Sequence, residues 1–167
     1  MKHVPSVAFI AMVVLYAVAA AHAAALIFKQ FTFNEDNALA SWDKMVLNGK
    51  SNYELVKQGP EGYVEALSRK ACSALYNKMT YDLDKYPVLS WRWKAVAFPD
   101  ISKAKTPKER DDYVARVYVI FPYMSFTFSK FIEYIWAENI PAGTVFDSPY
   151  GSNVKMVVVH SGAPDGD

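Results

Sequence analysis

Histidine and cysteine are scarce in this chain, and their scarcity removes whole classes of chemistry. Of 167 residues only three are His and one is Cys. Two of the histidines, His3 and His22, lie in an apolar N-terminal stretch that reads as a leader, which leaves His160. A zinc site built on two or three histidines is therefore not expected, and neither metal nor cofactor is. Cys72 has no partner for an internal disulfide, and its strand-like surroundings predict a buried thiol. Glycine is too sparse for a collagen-like chain. There is no excess of either charge, with 18 Lys and Arg against 17 Asp and Glu. A balanced surface has no electrostatic reason to seek nucleic acid, so none is expected as a partner. No phosphate loop, dinucleotide fingerprint or nucleophile elbow occurs.

What is present is apolar and aromatic: hydrophobic residues make up 52% and aromatics 15%. That composition belongs to a chain that folds around a core rather than to a disordered one. Lys2 and His3 precede an uncharged run from Val7 to Ala21, followed by Ala21-His22-Ala23-Ala24-Ala25. This is the order of a secretory signal peptide, so residues 1–23 are expected to be removed after Ala23, with Ala25 as the alternative. An uncleaved N-terminal anchor is the competing reading, because the apolar stretch is long enough to span a bilayer. A membrane is a partner only in that case. The remainder, residues 24–167, is expected to be a single exported domain, periplasmic or extracellular.

Past the leader, short runs rich in β-branched and aromatic residues recur between turn residues. Strands are predicted at Leu26–Phe33, Trp42–Leu47, Tyr53–Lys57, Tyr63–Ser68, Cys72–Asp82, Val88–Ala97, Tyr113–Phe121, Phe131–Glu138 and Val154–His160. The expected fold is all-β, an antiparallel β-sandwich of jelly-roll or Greek-key type. Period-two alternation puts Leu89, Trp91, Trp93 and Ala95 on one face and Ser90, Arg92, Lys94 and Val96 on the other. Lys103 to Asp112 is polar with Pro107 inside, and reads as an exposed loop, with one short helical turn as the alternative.

Pro87-Val88-Leu89-Ser90-Trp91-Arg92-Trp93-Lys94, then Asp111-Asp112-Tyr113-Val114-Ala115-Arg116-Val117-Tyr118-Val119, form an ordered set of motifs. Trp136, Ser148-Pro149-Tyr150 with Asn153, and Met156-Val157-Val158-Val159 continue it. Together they resemble a bacterial family, the domain of unknown function numbered 3047. The resemblance implies export and a β-sandwich, and supplies no activity, cofactor or catalytic residue. It also implies a longer chain. The apolar Val154–His160, followed by a turn-like tail, agrees with a C-terminally truncated member whose missing part belongs in the sheet.

Candidate site residues follow from charge placed among apolar neighbours. Arg116 interrupts an apolar strand, and a buried guanidinium needs a carboxylate or a ligand. Asp111, Asp112 and Glu133 are the available carboxylates, so Asp111, Asp112 and Arg116 are read as a structural ion pair. As adjacent strand residues, Asp111 and Asp112 point to opposite faces and cannot serve one reaction. Arg92, Lys94, Arg116, Tyr118, Glu133 and Trp136 form the candidate ligand-binding set, in which aromatic faces stack on sugar rings and charges bond hydroxyls. The leading expectation is a non-catalytic binding module for carbohydrate or another small polar ligand. The alternatives are an envelope glycan hydrolase or lyase using a carboxylate near Arg116, and a structural envelope domain with no ligand.

Overall fold

A computed structural model of the chain describes residues 26–163. The expected signal peptide or anchor lies outside these residues. Every regular element among them is a strand, and the chain divides into two compact units, one ending at Val88 and the other beginning at Leu89.

The first unit holds β1 (Asp43–Asn48), β2 (Asn52–Gln58), β3 (Glu61–Leu67) and β4 (Cys72–Tyr76). They form two antiparallel ribbons, β1 with β4 and β2 with β3. Gly59, at φ 62°, and Pro60 make the two-residue turn of the β2–β3 hairpin. A positive φ followed by a ring-fixed negative one is what the twist of such a hairpin asks for. Gly62 is needed for another reason. Its N–H donates to Asn34 Oδ1 at 2.7 Å, and a Cβ there would sit 1.9 Å from the Phe33 carbonyl oxygen.

Two expectations fail in this unit. Leu26–Phe33 forms no strand; it is held by rings, Phe28 on Tyr81 at 5.2 Å and Phe31 on Trp42 at 4.7 Å. Cys72 is exposed, not buried. A two-stranded ribbon cannot cover both of its faces, so a strand-like setting does not guarantee burial.

The second unit holds β5 (Ala115–Tyr123), β6 (Ser125–Ala137), β7 (Val145–Ser148) and β8 (Gly151–Ser161). They make one sheet in the order β5-β6-β8-β7. Its outer pairs are antiparallel, but β6 and β8 run parallel, a departure from the purely antiparallel expectation. The short β7 was not expected. Its insertion between β6 and β8 reverses the chain twice and so brings β8 back in the direction of β6.

With neighbours on both sides, β6 is the central strand, and it is buried from Phe131 to Ala137 at every second residue or better. One face carries the core cluster Ile135, Ala137, Met156 and Val158, with Tyr113, Ile140 and Phe146 against it. The other face carries Tyr134 and Trp136. It is covered by the segment that was expected to be the strand Val88–Ala97. That segment joins no ladder, yet its alternation holds from Trp91 on: Trp91, Trp93 and Ala95 turn inward, while Arg92, Lys94 and Val96 are exposed; Leu89, expected on the inner face, is exposed as well. Packing of alternate side chains against a sheet requires extended backbone but not a hydrogen-bonded neighbour.

Candidate functional site

The charged cluster is built where β5 meets β6. Antiparallel register sets Tyr118 opposite Glu133 and Arg116 opposite Ile135, so Arg116, Tyr118 and Glu133 project from the same sheet face as the apolar core. Just upstream, Thr106-Pro107-Lys108-Glu109 closes a single turn. Glu109 Oε2 accepts from the N–H of Lys105 at 2.6 Å and of Thr106 at 3.2 Å, and Thr106 Oγ1 accepts from the N–H of Glu109. This is a capping box, with Pro at the first helical position. It delivers Asp111 to the edge of the sheet.

Arg116 Nη1 donates to Glu133 Oε1 at 2.7 Å and to Asp111 Oδ2 at 3.1 Å, while Nη2 donates to the Asp111 main-chain carbonyl. The guanidinium lies over the Tyr113 ring at 5.1 Å. Its side chain is 24% exposed, against 5% for Asp111 and 2% for Glu133. Two carboxylates thus share one guanidinium nearly out of water. Burial alone would lower the Arg116 pKa, but Glu133, Tyr118 and Asp111 together outweigh it and hold the guanidinium charged. Burial pushes the Glu133 carboxyl above its ordinary range, with Arg116 and the Tyr118 hydroxyl pulling it back. Burial and the Glu133 charge both push the Tyr118 phenol upward. Burial, then the Asp111 charge, do the same to Tyr113.

The structure brings together Asp111, Arg116, Tyr118 and Glu133 from the sequence-predicted residues. Asp112 is exposed and takes no part. Arg92 and Lys94 face outward, opposite to Trp91 and Trp93. Trp136 lies on the other sheet face, fully buried, where its Nε1–H donates to the Gly162 carbonyl at 3.1 Å and its ring meets His160 at 3.9 Å. Tyr113 and the Thr106–Glu109 capping box were not singled out from the sequence, although the T-x-x-E spacing was there to be read; the turn itself was only the alternative to an exposed loop.

Two shallow recesses adjoin these residues. One, of about 310 Å³, lies between Pro107, Asp111, Tyr113, Phe146 and Pro149. The other, of about 260 Å³, lies on the opposite face and is lined by Leu89, Ser90, Trp91, Trp93 and Val159. There the Trp91 and Trp93 rings meet edge to face at 5.5 Å, and Trp91 rests on Tyr134 at 5.4 Å. The described residues hold no group of three or more His, Cys, Asp or Glu placed to bind a metal ion.

The model of a family described as a protein of unknown function, DUF3047, matches residues 40–166. The chain belongs to the DUF3047 family. No curated protein and no solved structure matches it. Membership in DUF3047 carries no activity with it, so the chemistry must be argued from the two sheet faces. On the first, both carboxylates already hold the same guanidinium. Glu133 is closed to solvent, so no substrate atom can approach it without opening the sheet. On the second, half-buried indoles border an open shelf with a serine hydroxyl beside it.

Proposed function

We propose that this DUF3047 chain is a non-catalytic binding module for a carbohydrate or a similar small polar ligand, taken on the Trp91–Trp93 shelf. The observation that supports it most is the pair of half-buried indole rings lining a recess of about 260 Å³. An aromatic face offers stacking to the apolar C–H side of a sugar ring, and Ser90 offers a hydroxyl partner. At about 260 Å³ the recess falls just below the usual range of roughly 300–1,000 Å³ for ligand sites and is open, which suits one ring on a platform and an affinity of about millimolar strength. The Asp111–Arg116–Glu133 cluster is then a fixed internal tie of the fold. A glycan hydrolase would need two carboxylates open to a sugar, with room for water or a covalent bond between them. On this reading the four-stranded sheet is one layer of a sandwich, and the leader exports the domain to meet its ligand.

Titration of the protein with neutral and acidic oligosaccharides, read by tryptophan fluorescence and thermal shift, tests the proposal. Quenching together with a raised Tm is expected, and Trp91→Ala should abolish both while the variant still melts cooperatively. A full panel without quenching or shift overturns the binding reading and leaves a structural envelope domain.

A further inference from the structure

Beyond the sheet proper, β5 and β6 continue as a two-stranded ribbon. β8 pairs with β6 only from Phe131 onward, and β5 pairs with the preceding stretch at Lys130 and, past an irregularity in the register, at Ser125. Ser129 is buried here, yet several large apolar side chains are open to solvent. Met124 is 87% exposed, Phe128 66% and Tyr123 64%, with Phe121 and Ile120 exposed behind them. From Val117 to Ser129 the sequence carries no charge, and the first charge after that is Lys130. The turn is made by Met124 at φ 41°, a left-handed conformation that Gly or Asn would adopt at less cost. An apolar side chain is thus held at the apex against the local preference of the backbone.

We propose that this hairpin tip is a lipid-contacting element, seating Tyr123, Met124 and Phe128 at the headgroup–acyl boundary of an anionic bilayer. The charge pattern selects the occupant. The ribbon has no acidic side chain from Val117 to Ile132, and Lys130 lies toward its base. The β7–β8 turn stands beside it, since Asn153 Nδ2 donates to the Ser129 carbonyl. That turn presents exposed Tyr150, with Lys108 Nζ 5.2 Å from its ring. Aromatic and thioether side chains at an apex with lysines behind it match an interface of acyl chain below and phosphate above. Insertion is shallow, because an open ribbon edge cannot leave its N–H and C=O groups unpaired in hydrocarbon. Pro122, lacking an N–H, interrupts the outer edge of β5 and opposes docking of another strand there. The proposal does not rest on the carbohydrate reading.

The test uses the full chain with Cys72→Ser and an environment-sensitive fluorophore at Met124→Cys. The same fluorophore at Tyr123→Cys is a second probe, and at Ala142→Cys, on the β6–β7 connection at the far end of the sheet, it is the control. Circular dichroism checks that each variant is folded. Vesicles are phosphatidylcholine alone or mixed with phosphatidylglycerol, each with and without a spin-labelled acyl chain. Emission at 123 and 124 should rise on vesicle binding and be quenched by the spin label, while 142 stays silent. Binding should be about fivefold tighter on anionic vesicles, the worth of one lysine near the surface, and Lys130→Gln should erase that preference. Vesicle binding with 123 and 124 unmoved would assign the attachment to the apolar N-terminal stretch and overturn the proposal. A concentration-dependent rise without lipid would assign the tip to a second copy of the chain and overturn it equally.

Discussion

Arg116→Ala removes the one cation shared by Asp111 and Glu133 and leaves both carboxylates in place. The Glu133 side chain is 2% exposed and that of Asp111 5%, so water cannot replace the guanidinium without opening β5 from β6. Removing one partner of a buried pair destabilises by about 3–5 kcal/mol. The 24% exposure of Arg116 places the expectation at the lower end, about 3 kcal/mol, a large part of the stability of a small domain. The variant has one escape. Glu133 already sits above the ordinary carboxylate range because of its burial, and without Arg116 it should take up a proton readily. The loss should therefore shrink on acidification, being largest near pH 8 and smaller near pH 5. Urea unfolding read by tryptophan emission measures this directly, since Trp91, Trp93 and Trp136 all report on the second unit. Arg116→Met combined with Glu133→Gln should recover much of the loss by removing the buried charge as well. A loss below about 0.5 kcal/mol, equal at both pH values, would refute the reasoning and mean that the cluster is solvated.

Further outcomes follow from other contacts. Gly62→Ala forces a methyl into the Phe33 carbonyl and should destabilise the first unit by about 2 kcal/mol or more, seen in Trp42 emission under urea. Trp136→Ala empties a fully buried site and should cost about 3–5 kcal/mol; a loss under 1 kcal/mol, on the order of a surface change, would count against the burial described. Tyr113 and Tyr118 titrate above the ordinary 10.0 in the folded chain. Unfolded chains then release protons that the folded state keeps. Stability should be full below pH 10 and fall as pH rises through the folded values. Ultraviolet titration should show two tyrosines lagging the others, and simultaneous ionisation of all of them would contradict the site.

How far the sequence could be read depended on whether the signal was local. The β2–β3 hairpin was visible because Gly59-Pro60 and the flanking alternation are contiguous. Arg116 stood out because a charge among Val114, Val117 and Tyr118 demands a counter-charge, and Glu133 lies in the next predicted strand. The reading stopped where pairing decides. Val88–Ala97 has strand alternation but no ladder, and Leu26–Phe33 has strand composition but is held by rings. The four residues of β7 are too few for a period to show, and without β7 the parallel pairing of β6 with β8 could not be foreseen. Trp136 and Glu133 were grouped in one candidate site, yet they lie on opposite faces of β6. Whether the Trp136 face was open or covered depended on residues 89–98, which come from elsewhere in the chain.

The parallel register of β6 and β8 has a kinetic consequence. β5 and β6 meet through a tight turn, and hairpins of that kind close in about 1–10 μs. β8 must instead be captured across an intervening strand, which makes its docking the slower event. Met156 stands beside Glu133 in that pairing. The Arg116–Glu133 contact should thus form while the hairpin is still wet, with β8 drying it afterwards. In that order Glu133 would not be stranded in a closing core, because Arg116 arrives with the same hairpin. Substitutions along β5 and β6 should slow folding, while Met156→Ala should chiefly speed unfolding. The opposite partition would mean that β8 is in place before the charges meet.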